Sequence, residues 1–290
     1  MKNVLIISCG LLGSSLVRSI SKKKLAKQIF IYEKSSSNIS KIKNLRLPGK
    51  TVKSLKEGVV NSDLIIFCTP MSEYKKLILK INDSILPNTL ITDIGSSKIE
   101  SSKIINKFLR KDLHWIRSHP ITGSEVSGPE HGKENMFEDK WCVLIKDKKT
   151  NLRHLKFFNS FWKKVGSKTV IMNSKKHDKI FSITSHLPHL IAYNLVKSAQ
   201  DFEKILKFDL IKYSAGGLRD FSRIAASNEI MWRDIFFDNK INITKAINLF
   251  IKNLRSFRRD INSNNNKSIL KKLTQTKKVR SKIIKLKQDT

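Results

Sequence analysis

Seven short runs of β-branched and aromatic residues punctuate the first 173 residues, with helical patterns between them. The runs are Asn3–Ile7, Gln28–Glu33, Asp63–Thr69, Thr89–Ile94, His114–Ser118, Trp141–Lys146 and Lys168–Met172. Amphipathic stretches such as "SEYKKLILKINDSI" and "NLRHLKFFNSFWKKVG" separate them. Alternation of this kind has few solutions, and the simplest is a mostly parallel sheet buried by helices on both faces. After Asn173 the texture changes. "KKHDKIFSITSHLPHLIAYNLVKSAQ", "NKINITKAINLFIKNLRSFRRDINSN" and "SILKKLTQTKKVRSKIIKLK" read as long helices, and "INSNNNKS" as a polar turn between the last two. An α/β domain over residues 1–173 and an all-helical domain over residues 174–290 are therefore expected. Long apolar helices after a compact α/β unit often pair with a second copy, so a homodimer is expected too.

The first turn sharpens the α/β reading. "NVLIISCGLLGSSLVRSI" is a strand, a tight turn and a helix. A dinucleotide-binding turn follows the pattern G-x-G-x-x-G; here Ser8 stands at the first position, and Gly10 and Gly13 hold the other two. Those two glycines serve close approach to a pyrophosphate and close helix–strand packing, with the helix N-terminus facing the phosphates. Ser8 need only accommodate the turn, at a cost of ~1–2 kcal/mol if it must be left-handed. Glu33 ends the second run twenty residues past Gly13, where an acid binds ribose hydroxyls and repels a 2′-phosphate. The domain is thus expected to be Rossmann-type and to bind NAD, through Ser8, Gly10, Leu11, Leu12, Gly13 and Glu33, with Thr69 and Pro70 at the next strand end.

Charge raises a different possibility. The chain carries 57 Lys and Arg against 24 Asp and Glu, a formal net charge of +33. A nucleic-acid partner would explain this, but the lysines are spread along the whole chain and no zinc-finger or RRM signature appears. Specific nucleic-acid binding is not expected. A positive field that draws in small anions is the expected consequence. No apolar run approaches the roughly eighteen residues of a membrane span. The first run lacks a basic leader and a cleavage site, and Cys9, Cys68 and Cys142 are far apart in sequence. Free thiols and a cytoplasmic location are expected.

Two further stretches carry chemistry. Strand ends of a parallel sheet gather at one edge, so Ser96 in "ITDIGSSK" and His119 in "IRSHP" should reach one crevice. In "HDKIFSITSHLPHLIAYN", His186 and His189 share a helix face, with Asp178 a little over two turns earlier. His-x-x-His without a metalloprotease glutamate gives no case for zinc, so no metal is expected. Pro188 suggests a kink. "SAGGLRDFSRIAASNEIMWRD" adds Arg223, which can hold a carboxylate bidentately.

With these blocks in hand, the sequence resembles the prephenate/arogenate (cyclohexadienyl) dehydrogenases of tyrosine biosynthesis. The resemblance runs from "CGLLGSSL" to about "FRRDI", and is most specific in "DIGSSK", "SHPITGSEVSGPEHG", "HDKIFSITSHLPHLIAYN" and "YSAGGLRDFSRIAASNEIMWRDIF". It implies oxidative decarboxylation of prephenate, arogenate or both with NAD, yielding 4-hydroxyphenylpyruvate or tyrosine. By that resemblance His119 is the catalytic histidine at the ring hydroxyl and Ser96 assists it. Glu125 gates the pocket, and His186, His189 and Arg223 hold the substrate. Gly217, Asp220 and Trp232 lie in a segment that approaches the site across the dimer interface. Two alternatives stand beside this reading. One is another NAD-linked dehydrogenase of the β-hydroxyacid type, although the lysine and asparagine of that group have no clear equivalent. The other is a catalytically silent, basic nucleic-acid-binding homologue.

Overall fold

A computed structural model describes residues 2–286. By packing, the chain divides into one unit that ends at Asn242 and a second that begins at Ile243. The change from mixed to helical secondary structure comes earlier, after the last strand at Met172.

The first unit holds eight strands: β1 (Asn3–Ile7), β2 (Gln28–Tyr32), β3 (Lys50–Thr51), β4 (Leu64–Phe67), β5 (Leu90–Asp93), β6 (Trp115–Pro120), β7 (Trp141–Ile145) and β8 (Lys168–Met172). Their order across the sheet is β3-β2-β1-β4-β5-β6-β7-β8. All neighbouring pairs are parallel except β6 and β7, where His119 pairs with Val143 in antiparallel register. The six strands up to β6 follow the doubly wound order, so a topological switch point falls between β1 and β4. The sequence reading differs in two places. β3 is only two residues long and carries no period that could announce it. β6 runs on to Pro120, so His119 is a strand residue, not the residue after one.

Strand alternation delivers the two faces. Val4 and Ile6 of β1 belong to one apolar cluster with Leu16, Val17, Phe158 and Trp162, whereas Leu5 and Ile7 join another with Val59, Phe67, Tyr74 and Ile78. The covering helices are α1 (Leu11–Lys22), α2 (Ser36–Asn44), α3 (Leu55–Val60), α4 (Tyr74–Ile81), α5 (Ile99–Phe108) and α6 (Leu152–Val165). α6 shows how local sequence sets the ends. Asn151 accepts the His154 amide at its start, and Gly166 at φ +116° closes it.

Past β8 the described residues form helices only: α7 (Ser174–Phe181), α8 (Leu187–Leu206), α9 (Gly216–Ala225), α10 (Glu229–Asp238), α11 (Lys240–Asn262) and α12 (Asn266–Lys285), besides short 3₁₀ and π turns. The expected single helix over residues 175–200 is interrupted by a π turn at Ser182–His186, directly ahead of Pro188. Pro188 has no N–H to donate, and the widened turn accommodates that loss. In the second unit, the polar turn after α11 is held by Asp260, which accepts from Lys272 Nζ at 2.6 Å and Ser268 Oγ at 2.5 Å. Among the described residues, no helix is long and apolar enough to cross a membrane.

Candidate active site

The turn after β1 shows how two glycines do different work. Gly10 is the residue before α1, and a Cβ built on it meets nothing within 4 Å. Its surface is open where a phosphate would approach the helix N-terminus. A Cβ on Gly13 would instead fall on the carbonyl oxygen of Ser8, with the Cys68 side chain next nearest. Gly13 is therefore what lets α1 close down on the turn. Ser8 adopts φ +71°, the left-handed conformation that glycine takes without cost.

Glu33 is wired into this turn. Its Oε2 accepts the Cys9 amide at 2.8 Å, while Oε1 accepts the Lys34 and Ser35 amides at 2.8 and 2.9 Å. The carboxylate joins the end of β2 to the turn after β1, where ribose hydroxyls can reach its remaining lone pairs. Across the switch point, Thr69 follows β4, and its buried Oγ1 has no hydrogen-bond partner. Buried hydroxyls are rarely left unpaired, so this atom marks a place for a ligand. Open space at Gly10, an anchored Glu33 and an orphaned Thr69 hydroxyl all fit a dinucleotide. Leu11 and Leu12 begin α1 beside them, and Pro70 fixes the chain after Thr69 at φ −53°.

His119 lies near the end of β6 with 8% of its surface exposed. Its Nδ1 is 2.8 Å from Nε2 of His177, and His177 Nδ1 is 2.7 Å from Asp178 Oδ1. The ring also packs on Phe181, with centroids 4.9 Å apart. Burial holds the His119 pKa well below its ordinary value, and His177, Lys98 and His186 push it the same way. His119 is thus a neutral imidazole at physiological pH, able to accept a proton.

His186 is fully buried at the end of the π turn. Burial lowers its pKa to about 4, against the opposing pull of Asp178 and the Ser96 carbonyl. Asn239, just past α10, contacts its Nδ1 at 3.1 Å and donates to the Asp178 carbonyl at 2.8 Å. The Asp178 carboxylate turns to the start of α5, where it accepts the Lys98 and Ile99 amides. His189 Nδ1 donates to the Ser185 carbonyl at 3.0 Å, and its ring stacks on Trp232 at 3.8 Å. Buried Nε2 of His186 and Nε1 of Trp232 have no hydrogen-bond partner. Two unpaired donors beside a stacked imidazole offer polar recognition inside an apolar wall.

Farther out, Arg223 on α9 faces Glu125, Nη1 to Oε2 at 3.5 Å, with the arginine side chain 58% exposed. Backbone and Ser124 hydrogen bonds, with Arg223 adding to them, keep the Glu125 pKa below its ordinary value. Gly217 and Asp220 also lie on α9. No hydrogen bond joins Ser96 to His119; Ser96 reaches the site through its carbonyl beside His186. Among the described residues, no three His, Cys, Asp or Glu side chains are placed to hold a metal ion.

Sequence reasoning missed His177, Lys98, Asp93 and Asn239. His177 sits among lysines in "SKKHDK" and looks solvated, although Phe181 one turn later on the same face hints at burial. Lys98 and Asp93 frame the quoted "DIGSSK", but nothing local says that both are buried.

Comparison with known proteins bears on the family. The nucleotide-binding domain of prephenate dehydrogenase matches residues 16–171. The prephenate dehydrogenase dimerization domain matches residues 173–275. Cyclohexadienyl dehydrogenase from Zymomonas mobilis is 28% identical over 96% of this chain and 95% of its own. Prephenate dehydrogenase from Lactococcus lactis is 31% identical over 97% of this chain and 77% of its own. The crystal structure of Aquifex aeolicus prephenate dehydrogenase with hydroxyphenyl propionate and NAD+ is similar at a TM-score of 0.90, with 32% identity and 98% of each chain covered. With both domains matched in order across the described fold, the chain belongs to the prephenate dehydrogenase family.

Proposed function

We propose that the protein oxidatively decarboxylates prephenate, arogenate or both, using NAD, in tyrosine biosynthesis. Family membership sets the reaction class, and His119 is the observation that carries the chemistry: a buried, neutral imidazole at the carboxyl edge of the sheet. NAD supplies the hydride acceptor when bound.

The chain's own residues divide the remaining work. Gly10, Gly13, Glu33 and Thr69 hold the dinucleotide across the switch point, with Ser8, Leu11, Leu12 and Pro70 shaping the turns. His119 takes the proton of the substrate's ring hydroxyl as the carbinol carbon is oxidised. Loss of the ring carboxylate as CO2 then makes the ring aromatic, and His119 returns the proton to the phenolate oxygen. Aromatisation supplies the driving force, so one well-placed base suffices. Ser96 assists at the hydroxyl; His186, His189 and Trp232 hold the ring. Arg223 binds a substrate carboxylate by leaving its long contact with Glu125, which makes that pair a gate.

The matched dimerization domain also supports a homodimer. Large apolar side chains of the helical segment lie open to solvent, among them Ile205 at 73% and Phe237 at 69%. A second copy would cover such a surface, and Gly217 and Asp220 on α9 are proposed to meet the partner's site there. NADH formation with prephenate and with arogenate, each against NAD and NADP, tests the activity. NAD reduction with at least one substrate is expected. No reduction with either would defeat the proposal, and salt-dependent retention on DNA in its place would favour the basic binding homologue.

A further inference from the structure

His119, His177 and Asp178 form a line of three buried side chains. His119 Nδ1 touches His177 Nε2, and His177 Nδ1 touches Asp178 Oδ1, at 2.8 and 2.7 Å. His177 and Asp178 have no solvent exposure. Asp178 Oδ1 also accepts the Lys98 amide and Oδ2 the Ile99 amide, at 2.8 Å each. Those amides open α5, whose own N-cap residue supplies no side-chain bond. Asp178 is therefore the cap of α5, delivered from a distant helix, and a helix start favours the ionised carboxylate.

The direction of each hydrogen bond follows from that anchor. An ionised carboxylate can only accept, so the hydrogen at its 2.7 Å contact sits on His177 Nδ1. A neutral imidazole has one N–H, which leaves His177 Nε2 as a lone pair. The 2.8 Å contact between the rings then needs its hydrogen on His119 Nδ1. That is the only hydrogen the neutral His119 ring has, and its Nε2 keeps a free lone pair. We propose that Asp178, acting through His177, is the positioning residue that fixes the His119 tautomer and makes Nε2 the proton acceptor. The proposal rests on the reading of His119 as the base. The charged and titratable groups facing the pair are Lys98 at the start of α5, backed by Asp93 on β5, Asp178 on α7 and His186 in the π turn. Lys98 and His186 both oppose a second proton on either ring.

Asp178→Asn reverses the chain when its amide nitrogen takes the Oδ1 place, where it donates to His177 Nδ1 while its oxygen keeps the Ile99 amide and the Lys98 amide loses its acceptor. His177 must then donate from Nε2, and His119 is left with its hydrogen on Nε2 and no free lone pair for the substrate. The carboxylate-to-amide change in the Ser-His-Asp triad works by the same logic, and a fall in kcat of about 10²–10⁴-fold with KM kept is expected. The decisive experiment is 15N NMR of histidine-labelled, NAD-saturated enzyme without substrate, which distinguishes the two ring tautomers. Wild-type His119 is expected to carry its hydrogen on Nδ1, and the Asp178→Asn ring on Nε2. A wild-type ring protonated on Nε2 overturns the proposal.

A second pair of variants leaves the α5 cap intact. His177→Gln retains an oxygen acceptor for His119 Nδ1–H, and His177→Leu removes it. Glutamine is expected to keep the tautomer and more of kcat than leucine; equal kcat in the two overturns the proposal. The tautomer is read without turnover, so failure of the base assignment shows up separately, as unchanged kcat in His119→Asn.

Discussion

The Lys98 ammonium lies 2.6 Å from the Asp93 carboxylate, and neither side chain has any exposure to solvent. The same ammonium donates to the Ser118 carbonyl at 2.6 Å, one residue before His119. Asp93 in turn accepts from Trp115 Nε1, Tyr74 Oη and the Gly95 amide at 3.0, 3.1 and 3.0 Å. The pair thus ties the "DIGSSK" turn to the strand that carries His119. Removing one member leaves a buried, uncompensated charge, so Lys98→Met is expected to cost about 3–5 kcal/mol. Urea unfolding measures this. A loss under about 1 kcal/mol, the range of a surface pair, would mean that water reaches the site.

The two glycines of the nucleotide turn should separate cleanly. Gly10→Ala meets open space, so folding stability should stay within about 0.5 kcal/mol, while NAD affinity falls as the methyl occupies the phosphate approach. Gly13→Ala drives a methyl into the Ser8 carbonyl and should cost about 1–3 kcal/mol of stability. Unfolding curves with and without NAD check both. Equal behaviour of the two variants would contradict the division of roles.

Acid should destabilise the protein through its buried histidines. His119, His177 and His186 all have pKa values below the ordinary 6.5, with His186 near 4. Between those limits the unfolded chain binds more protons than the folded one, so stability rises with pH. It is therefore fully present above about pH 6.5 and is lost progressively as pH falls toward 4, on the order of 3 kcal/mol for His186 alone. Urea midpoints across this range should fall on acidification, and His186→Asn should flatten the slope. A midpoint that rises on acidification would contradict the burial of these rings.

Arg223 should act on binding more than on turnover. Arg223→Ala is expected to weaken substrate by roughly 1.5–3 kcal/mol, the worth of a charged hydrogen bond, seen as a raised KM with kcat mostly kept. A normal KM would assign the carboxylate to another residue.

Much of this architecture was legible because periodicity reports burial. The strands come within two residues of their sequence-based bounds because each is an apolar run between polar turns, while the two-residue β3 has too little length to show a period. Gly10, Gly13 and Glu33 were legible because their spacing is fixed by the strand–turn–helix geometry itself. His177 and Lys98 were not. Their acids are near in sequence, Asp178 beside His177 and Asp93 five residues before Lys98, but the His119 ring and the Ser118 carbonyl that complete each buried site come from a distant strand that local sequence does not report. The π turn before Pro188 was legible only as a kink, since proline reports a missing donor and not how the helix absorbs it.

The central assignment is His119 as the base for prephenate or arogenate oxidation, and steady-state NADH formation by His119→Asn at saturating NAD tests it most directly. A kcat lower by about 10²–10⁴-fold is expected, the usual worth of a general base, with substrate binding retained. Wild-type kcat in that variant would contradict the assignment.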